Sequence, residues 1–179
     1  MNIFIRFKVV LKTPICSFDA KTGILCNLCE NKLESGQITQ FDVEASIVLS
    51  KLAQKNTDIN KMTLISATEI DNEQVLVMKN SDVRLIRSSP NHSNIINKAF
   101  SRNVWIVEAD SNDRRFLENL FHPFHLETVN LVWLPDGSKL TRVVMGESAI
   151  NSIGNSKLEI IKKICMIVRH VDLIVETDI

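Results

Sequence analysis

Apolar residues recur at steps of three and four positions soon after the turn around Gly36. The recurring positions are Phe41, Ala45, Val48, Leu49 and Leu52. One face of an α-helix has this period, and Thr39 or Asp42 is the type of residue that caps a helix N-terminus. The pattern therefore predicts an amphipathic helix that runs to about Gln54.

Two β-hairpins are predicted further along the chain. The strands of the first cover 62–70 and 74–78, and those of the second cover 128–134 and 139–145. Each pair is rich in β-branched residues and encloses a turn of the residue types that favour tight reversals. We expect both tryptophans, Trp105 and Trp133, to lie on strands and to pack in the core.

The segments that follow the two hairpins resemble each other in order. After the first hairpin come a short apolar piece (83–86), a break (88–91), a helix (93–101) and a strand (104–107). After the second come a short helix, a turn, a helix and a strand, at 148–153, 154–156, 157–168 and 171–175. A separate helix over 113–120 precedes the second hairpin. The same order of elements therefore occurs twice, near 64–108 and 128–176.

Composition and charge are those of an ordinary globular protein. The chain is 45% apolar and 23% charged, and its 21 basic and 21 acidic residues give zero net charge. Phosphate neutralisation dominates nonspecific nucleic-acid binding, so a neutral chain argues against that mode while permitting a local basic patch. No apolar run approaches the ~18 residues of a membrane span, and the N-terminal apolar stretch is broken by Arg6 and Lys8. We expect a cytoplasmic protein that does not contact membranes.

Three cysteines and an aspartate are spaced C-x2-D-x6-C-x2-C, at Cys16, Asp19, Cys26 and Cys29. Zinc accepts thiolate sulfur and carboxylate oxygen, and a closed set of four ligands is typical of a structural site. Three ordinary cysteines near a loop remain an alternative. A redox-active C-x2-C pair is another, although no matching βαβ pattern follows it. We expect both halves of the cluster to lie in short turns cross-linked by zinc.

Several segments resemble the archaeal NusA-like transcription factors that contain K-homology (KH) domains. The segments are 13–16, 22–29, Lys32-Leu33, Gly36, 105–108, Asp113, 116–120 and Pro123. The resemblance covers residues 13–176 and implies an α+β protein. It implies a zinc-knuckle-like segment (1–38), a first KH-like module of type II with a leading helix (39–109), and a linker helix with a second module (110–179).

In such modules a G-x-x-G loop between two helices clamps the nucleic-acid backbone. The first repeat has Pro90-Asn91-His92-Ser93 at that place, without glycine, so Asn91 and His92 are weak candidates and His92 is expected to be a solvated loop residue. The second repeat keeps Gly154, followed by Asn155, Ser156 and Lys157. The second loop is therefore the expected clamp, assisted by Lys139 or Arg142.

The resemblance implies a non-catalytic protein that binds single-stranded RNA in transcription elongation or termination. The alternative is a protein-interaction module whose degenerate KH surfaces dock on RNA polymerase or the ribosome, which zero net charge and the lost glycines favour. An enzyme is not expected, because the sequence has no glycine-rich nucleotide loop, nucleophile elbow or H-E-x-x-H motif.

Overall fold

The computed structural model describes residues 10–135, 137 and 139–178. This part of the chain is a mixed α+β structure with eight α-helices and two three-stranded sheets. The chain divides between Ala109 and Asp110 into two compact units. None of the helices in the described ranges combines the length and the apolar character that crossing a membrane requires.

The first unit contains five helices and one sheet. Its elements are α1 (Ser17–Thr22), α2 (Asn27–Glu34), α3 (Gln40–Lys55), β1 (Leu64–Ile70), β2 (Glu73–Met78), α4 (Asn80–Ser88), α5 (Pro90–Ala99) and β3 (Asn103–Glu108). Strand β2 lies in the middle, antiparallel to β1 and parallel to β3. The parallel pair requires a crossover connection, which α4 and α5 provide.

The second unit repeats this order after one leading helix. Its elements are α6 (Asp113–Phe121), β4 (Thr128–Trp133), β5 (Lys139–Met145), α7 (Glu147–Ile153), α8 (Asn155–Arg169) and β6 (Asp172–Thr177). Strand β5 is central, antiparallel to β4 and parallel to β6. Both units therefore have the same topology: a hairpin, two helices and a returning strand.

Helix α3 lies where the apolar period predicts it, and its apolar face is buried. Ala45 and Leu49 are fully inaccessible and belong to one hydrophobic core with Leu76 and Met78 of β2 and Ile96 of α5. Because α3 contributes to the same core as the sheet, the leading helix and the first repeat form one packed unit.

A buried aspartate connects the start of α3 to the outer edge of β1. Asp42 and Thr39 form a capping box, with the Thr39 N–H donating to Asp42 Oδ2 at 2.7 Å. The other carboxylate oxygen accepts the Ala67 N–H at 2.5 Å, and the Thr39 hydroxyl donates to the Ala67 carbonyl at 3.3 Å. These bonds fix the helix against the strand and occupy backbone groups that would otherwise be unpaired.

Two helix boundaries differ from the sequence prediction. The predicted loop 90–93 is the first turn of α5, and the break between α4 and α5 falls on Ser89 alone. Proline favours the first position of a helix and forces an extended conformation on the residue before it, which agrees with Ser89 at φ −125° and ψ 105°. In the second unit α8 begins at Asn155 rather than Lys157, because Gly154 alone interrupts the helical backbone.

One tryptophan is not in the core. Trp133 is 62% exposed at the end of β4, whereas Trp105 is half-buried and donates its indole N–H to Glu73 Oε2 at 3.0 Å. The expectation that both pack inside is therefore wrong for Trp133. Its strand is an edge strand next to the hairpin turn, where one side has no neighbouring strand among the described residues.

We expect Asp42→Ala to destabilise the first unit by about 3 kcal/mol, because the buried N–H of Ala67 and the partly buried N–H of Thr39 lose their acceptor. Urea unfolding followed by Trp105 fluorescence in a Trp133→Phe background measures this. Glu44→Ala, on the exposed side of α3, is the control and should change stability by less than about 0.5 kcal/mol. Equal effects of the two substitutions would contradict the role given to Asp42.

Candidate functional site

The four metal-ligand candidates lie at the starts of two helices. Cys16 is the N-cap residue of α1 and Asp19 follows in its first turn, while Cys26 is the N-cap residue of α2 and Cys29 follows in its first turn. The prediction of two short turns is thus replaced by two helix N-termini. A spacing of three residues brings an N-cap side chain and its partner to the same end of a helix.

The two helix starts are linked by reciprocal hydrogen bonds. The Cys16 N–H donates to Cys29 Sγ at 3.3 Å, and the Cys26 N–H donates to Asp19 Oδ2 at 3.0 Å. Each N-cap residue therefore donates to the side chain of the other helix's first turn. Asp19 occupies the place in α1 that Cys29 occupies in α2, which makes the aspartate the counterpart of the missing fourth cysteine.

The geometry of the cluster fits a single metal ion. One ligand atom from each of the four residues lies within 4.8 Å of all the others. A tetrahedral zinc with Zn–S bonds of about 2.3 Å needs its sulfur atoms about 3.8 Å apart, so only a small contraction is required. The residues are compatible with zinc.

The Asp19 carboxylate provides independent support for a cation. Asp19 is completely buried, and its Oδ1 atom has no hydrogen-bond partner among the described residues. Burial by itself raises the pKa of this carboxyl. The Cys26 N–H and the thiols of Cys29, Cys26 and Cys16 outweigh that effect and lower the pKa to about 2. A buried carboxylate that stays ionised with one oxygen unpaired is costly unless a cation balances its charge, so Asp19 suits the role of a metal ligand.

Metal binding at this cluster is coupled to the loss of thiol protons. Burial, followed by the neighbouring Asp19 and Cys26, raises the pKa of the Cys29 thiol to about 12 in the metal-free chain. A bound cation binds the thiolate and displaces that proton, so metal binding releases protons. Bound zinc would supply charge compensation and cross-linking here, with no open position for substrate among four protein ligands.

A small apolar cluster packs the cysteine segment against α3. Ile15, Ala20 and Cys29 are buried together with Ile38 and Val43, the latter on α3. Gly23 ends α1 with φ +78°, a left-handed conformation that glycine adopts without steric cost. The segment that carries the four candidate ligands thus packs on α3 through few apolar contacts. A bound metal ion that cross-links this segment would therefore stabilise it.

The second candidate site is the break between α7 and α8. Gly154 has φ +78° and ψ 152°, and a Cβ placed on it would meet nothing within 4 Å. Asn155, Ser156 and Lys157 form the first turn of α8 and are exposed, and no side chain caps this helix. The structure brings these four predicted residues together around an accessible helix N-terminus.

Two other predicted RNA contacts lie elsewhere in the second unit. Helix α8 is about 22 Å long and ends just before β6, which begins opposite Leu140. Lys139 therefore lies towards the end of α8 that is remote from Gly154, and its ammonium group stacks 4.5 Å over the Trp133 ring. Arg142 forms an ion pair with Glu176 at 2.6 Å. The run of α8 thus places Lys139 away from Gly154, and its assistance to the Gly154 loop stays a prediction.

The first unit has no corresponding open loop. Asn91 and His92 lie within α5, and His92 is buried, with Nε2 3.6 Å from Asp58 Oδ2. The expectation of a solvated loop histidine is therefore wrong. Sequence reasoning missed Asp58 as its neighbour and missed the two N-cap N–H donors of the metal cluster. The signal for the donors is the equal spacing of 16–19 and 26–29, which suits two helix starts as well as two turns.

We expect one Zn²⁺ per chain, and Asp19→Ala should weaken zinc binding at least tenfold (about 1.4 kcal/mol) by removing one of four ligands. Asp19→Cys should retain tight binding because it completes a four-thiolate set. Competition with a chromophoric chelator measures affinity, and Co²⁺ substitution reports tetrahedral thiolate ligation. Cys165→Ser, far along the chain in α8, is the control that leaves zinc unaffected. Equal zinc affinity of the wild type and Asp19→Ala would show that Asp19 is not a ligand.

We expect alkylation to divide the cysteines into two groups. Burial raises the pKa of the Cys165 thiol to about 12, so it should stay unmodified by iodoacetamide at about pH 8 with or without metal. Cys16 and Cys26, which are exposed and half-buried, should be protected by zinc and modified after chelation. Mass spectrometry of the peptides measures both, and labelling of Cys165 before the others would contradict its burial.

Comparison with known proteins adds a likeness of fold. No family model matches the chain, and no curated protein sequence matches it. A solved structure described as "Crystal structure of APE1850" is similar, with a TM-score of 0.53 and 18% identity. The alignment covers 73% of this chain and 95% of that chain. At this level of identity the similarity concerns the fold alone.

Proposed function

We propose that this chain is a non-catalytic protein that binds single-stranded RNA through its second unit, in the manner of a NusA-like KH protein. The proposal includes a structural zinc ion that fixes the N-terminal segment. One observation carries it: a glycine with positive φ opens the N-terminus of a long helix at the turn between the two helices of a β-β-α-α-β unit.

The repeated topology supports two KH-like modules of type II. Each unit has an antiparallel hairpin, two helices in sequence and a last strand parallel to the central one. That is the element order which the NusA-like resemblance implies. The link to transcription elongation or termination rests on the resemblance in sequence.

The Gly154 turn has the physical properties of a backbone clamp. The glycine has no side chain to keep a phosphate away, and no described atom occupies the space where a Cβ would point. The first N–H groups of a helix lack intrahelical acceptors, and the dipole of a 15-residue helix favours an anion at that end. A phosphate of the RNA backbone fits this position, with Ser156 and Lys157 beside it.

The first unit is proposed to act as a scaffold. Its interhelical break is the single extended residue Ser89, followed by Pro90, which has no N–H to donate. His92 is buried against Asp58 and does not face a ligand. With one clamp and zero net charge, binding should be weak and should fall as salt rises, with the shallow slope that a small number of phosphate contacts gives.

One observation favours docking on a protein such as RNA polymerase or the ribosome as a second candidate function. Phe18, Ile24 and Leu28 are 68%, 72% and 76% exposed on the cysteine-containing segment. Large apolar side chains held in solvent by a cross-linked segment are typical of interaction surfaces. The two functions use different units of the chain and are separable by mutation.

We expect Gly154→Asp to weaken binding of a fluorescent single-stranded RNA at least tenfold (about 1.4 kcal/mol). The substitution places a side chain and a negative charge at the proposed phosphate position. Fluorescence anisotropy at two salt concentrations measures the affinity, and wild-type binding should weaken with salt.

The matched control is Gly36→Asp in the first unit. Gly36 also has positive φ (+71°) and open space around it, so the substitution puts the same side chain and charge at a positive-φ glycine away from the loop. It should leave RNA affinity unchanged. Absence of RNA binding by wild type at low salt would overturn the proposal and leave protein docking as the function to test.

A further inference from the structure

Strand β4 presents two large apolar side chains to solvent. Leu131 is 57% exposed and Trp133 is 62% exposed. In the register of the sheet Leu131 lies opposite Thr141 and Val129 lies opposite Val143, so these residues share the face on which Val143 and Met145 are fully buried. The apolar face of the sheet therefore continues onto β4, where it is left uncovered.

The outer edge of β4 also has no partner strand among residues 10–135, 137 and 139–178. The corresponding strand of the first unit differs in this respect. Along β1, Lys12 exchanges backbone hydrogen bonds with Met62 and Leu64, while Asp42 and Thr39 occupy the N–H and C=O of Ala67. The two units thus share a topology but differ at the equivalent edge. The edge of β1 is hydrogen-bonded by other parts of the chain, whereas the edge of β4 has no such partner among the described residues.

The sequence of β4 lacks the features that prevent edge pairing. Its six residues, Thr128–Trp133, include no charged residue and no proline. Natural edge strands are usually blunted by lysine, proline or a bulge because unpaired N–H and C=O groups accept another strand. An uncharged edge on which four of six residues are apolar therefore has nothing that opposes pairing with another strand.

We propose that two copies of this chain associate through antiparallel pairing of their β4 strands about a twofold axis at Leu131. In this register Leu131 lies opposite its own counterpart, Trp133 opposite Val129, and Asn130 opposite Val132. The apolar faces of both copies then lie on the same side of a continuous six-stranded sheet. The interface is isologous and closes with two copies.

The charges at the two ends of β4 favour the antiparallel arrangement. Lys139 stacks over Trp133 at the end of the strand, and the two carboxyl groups of Glu127 and Asp178 lie together at its beginning, with the single imidazole of His125 near Glu127. Antiparallel pairing brings the basic end of one copy to the acidic end of the other, whereas parallel pairing opposes like charges. This complementarity, with the apolar self-match at Leu131, selects a second copy as the occupant rather than a phosphate-bearing ligand.

The interface is small, so the association is weak. One strand pair with two exposed apolar side chains on each copy falls below the roughly 1,200 Å² of a standard interface. We expect sedimentation equilibrium between about 10 μM and about 1 mM to show the average mass rising from 20.3 kDa towards twice that value. A constant 20.3 kDa across this range overturns the proposal.

Leu131→Lys should abolish the rise in mass, because the twofold axis opposes the two lysines directly. Leu131 is mostly exposed, so the fold should persist, which circular dichroism checks. Ile65→Lys is the control: Ile65 is 44% exposed on β1, whose edge is closed, and association should be unchanged. If both variants associate like the wild type, β4 is not the interface.

Cross-linking tests the register independently of affinity. Leu131→Cys should form a disulfide-linked dimer under mild oxidation, since residues that face each other across a strand pair bring their Cβ atoms within about 5.5 Å. Thr128→Cys, at the end of the strand, should give no more dimer than the wild type. Equal cross-linking of the two variants overturns the register. Single-stranded RNA can also be added to the protein while the fluorescence of Trp133 is recorded. A change in this fluorescence, in a protein whose mass stays that of the monomer, would overturn the proposal and make nucleic acid the occupant of β4.

Discussion

Each sheet in this chain has an apolar face that packs with its helices, and burying that face is the constraint on which the structure depends. An isolated two-stranded hairpin is marginally stable at best in water, so each hairpin here depends on its third strand and on the helices that pack against it. In both units the crossover between the parallel strands supplies those helices, so the turn between them is fixed at a defined place beside the sheet. The Gly154 turn owes its position to this requirement, because α8 must return along the sheet to reach β6.

The cysteine segment is held by a different physical principle. It has little apolar area of its own, and the buried Asp19 carboxylate keeps one oxygen without a partner. An ionised group in that situation is costly unless a cation balances it. The reciprocal hydrogen bonds from Cys16 and Cys26 orient the ligands before any metal arrives. Folding of the segment and metal binding should therefore be linked, as in small metal-dependent domains.

Periodicity, turn residues and cysteine spacing were enough to predict α3, both hairpins and the proximity of Cys16, Asp19, Cys26 and Cys29, because these are encoded by local patterns. Features decided by non-local packing were not predictable. His92 is buried because the helix that begins at Pro90 turns it towards Asp58, and nothing near it in sequence indicates this. Trp133 was expected inside because aromatic residues on strands usually are, whereas its exposure follows from its place on an edge strand beyond the helices. The position of Lys139 relative to Gly154 likewise could not be predicted, because it depends on the direction in which α8 runs along the sheet.

The two units show how one topology yields different surfaces through small changes at its edges. In the first unit the edge strand is closed by Asp42, Thr39 and the segment around Lys12, and the interhelical turn is closed by Pro90. In the second unit both places are open: one edge of β4 has no partner strand within the described part of the chain, and Gly154 exposes a helix N-terminus. Polar groups that a protein leaves unpaired at its surface are available to a ligand. The first unit therefore satisfies its own backbone and serves stability, while the second carries the two surfaces proposed to bind.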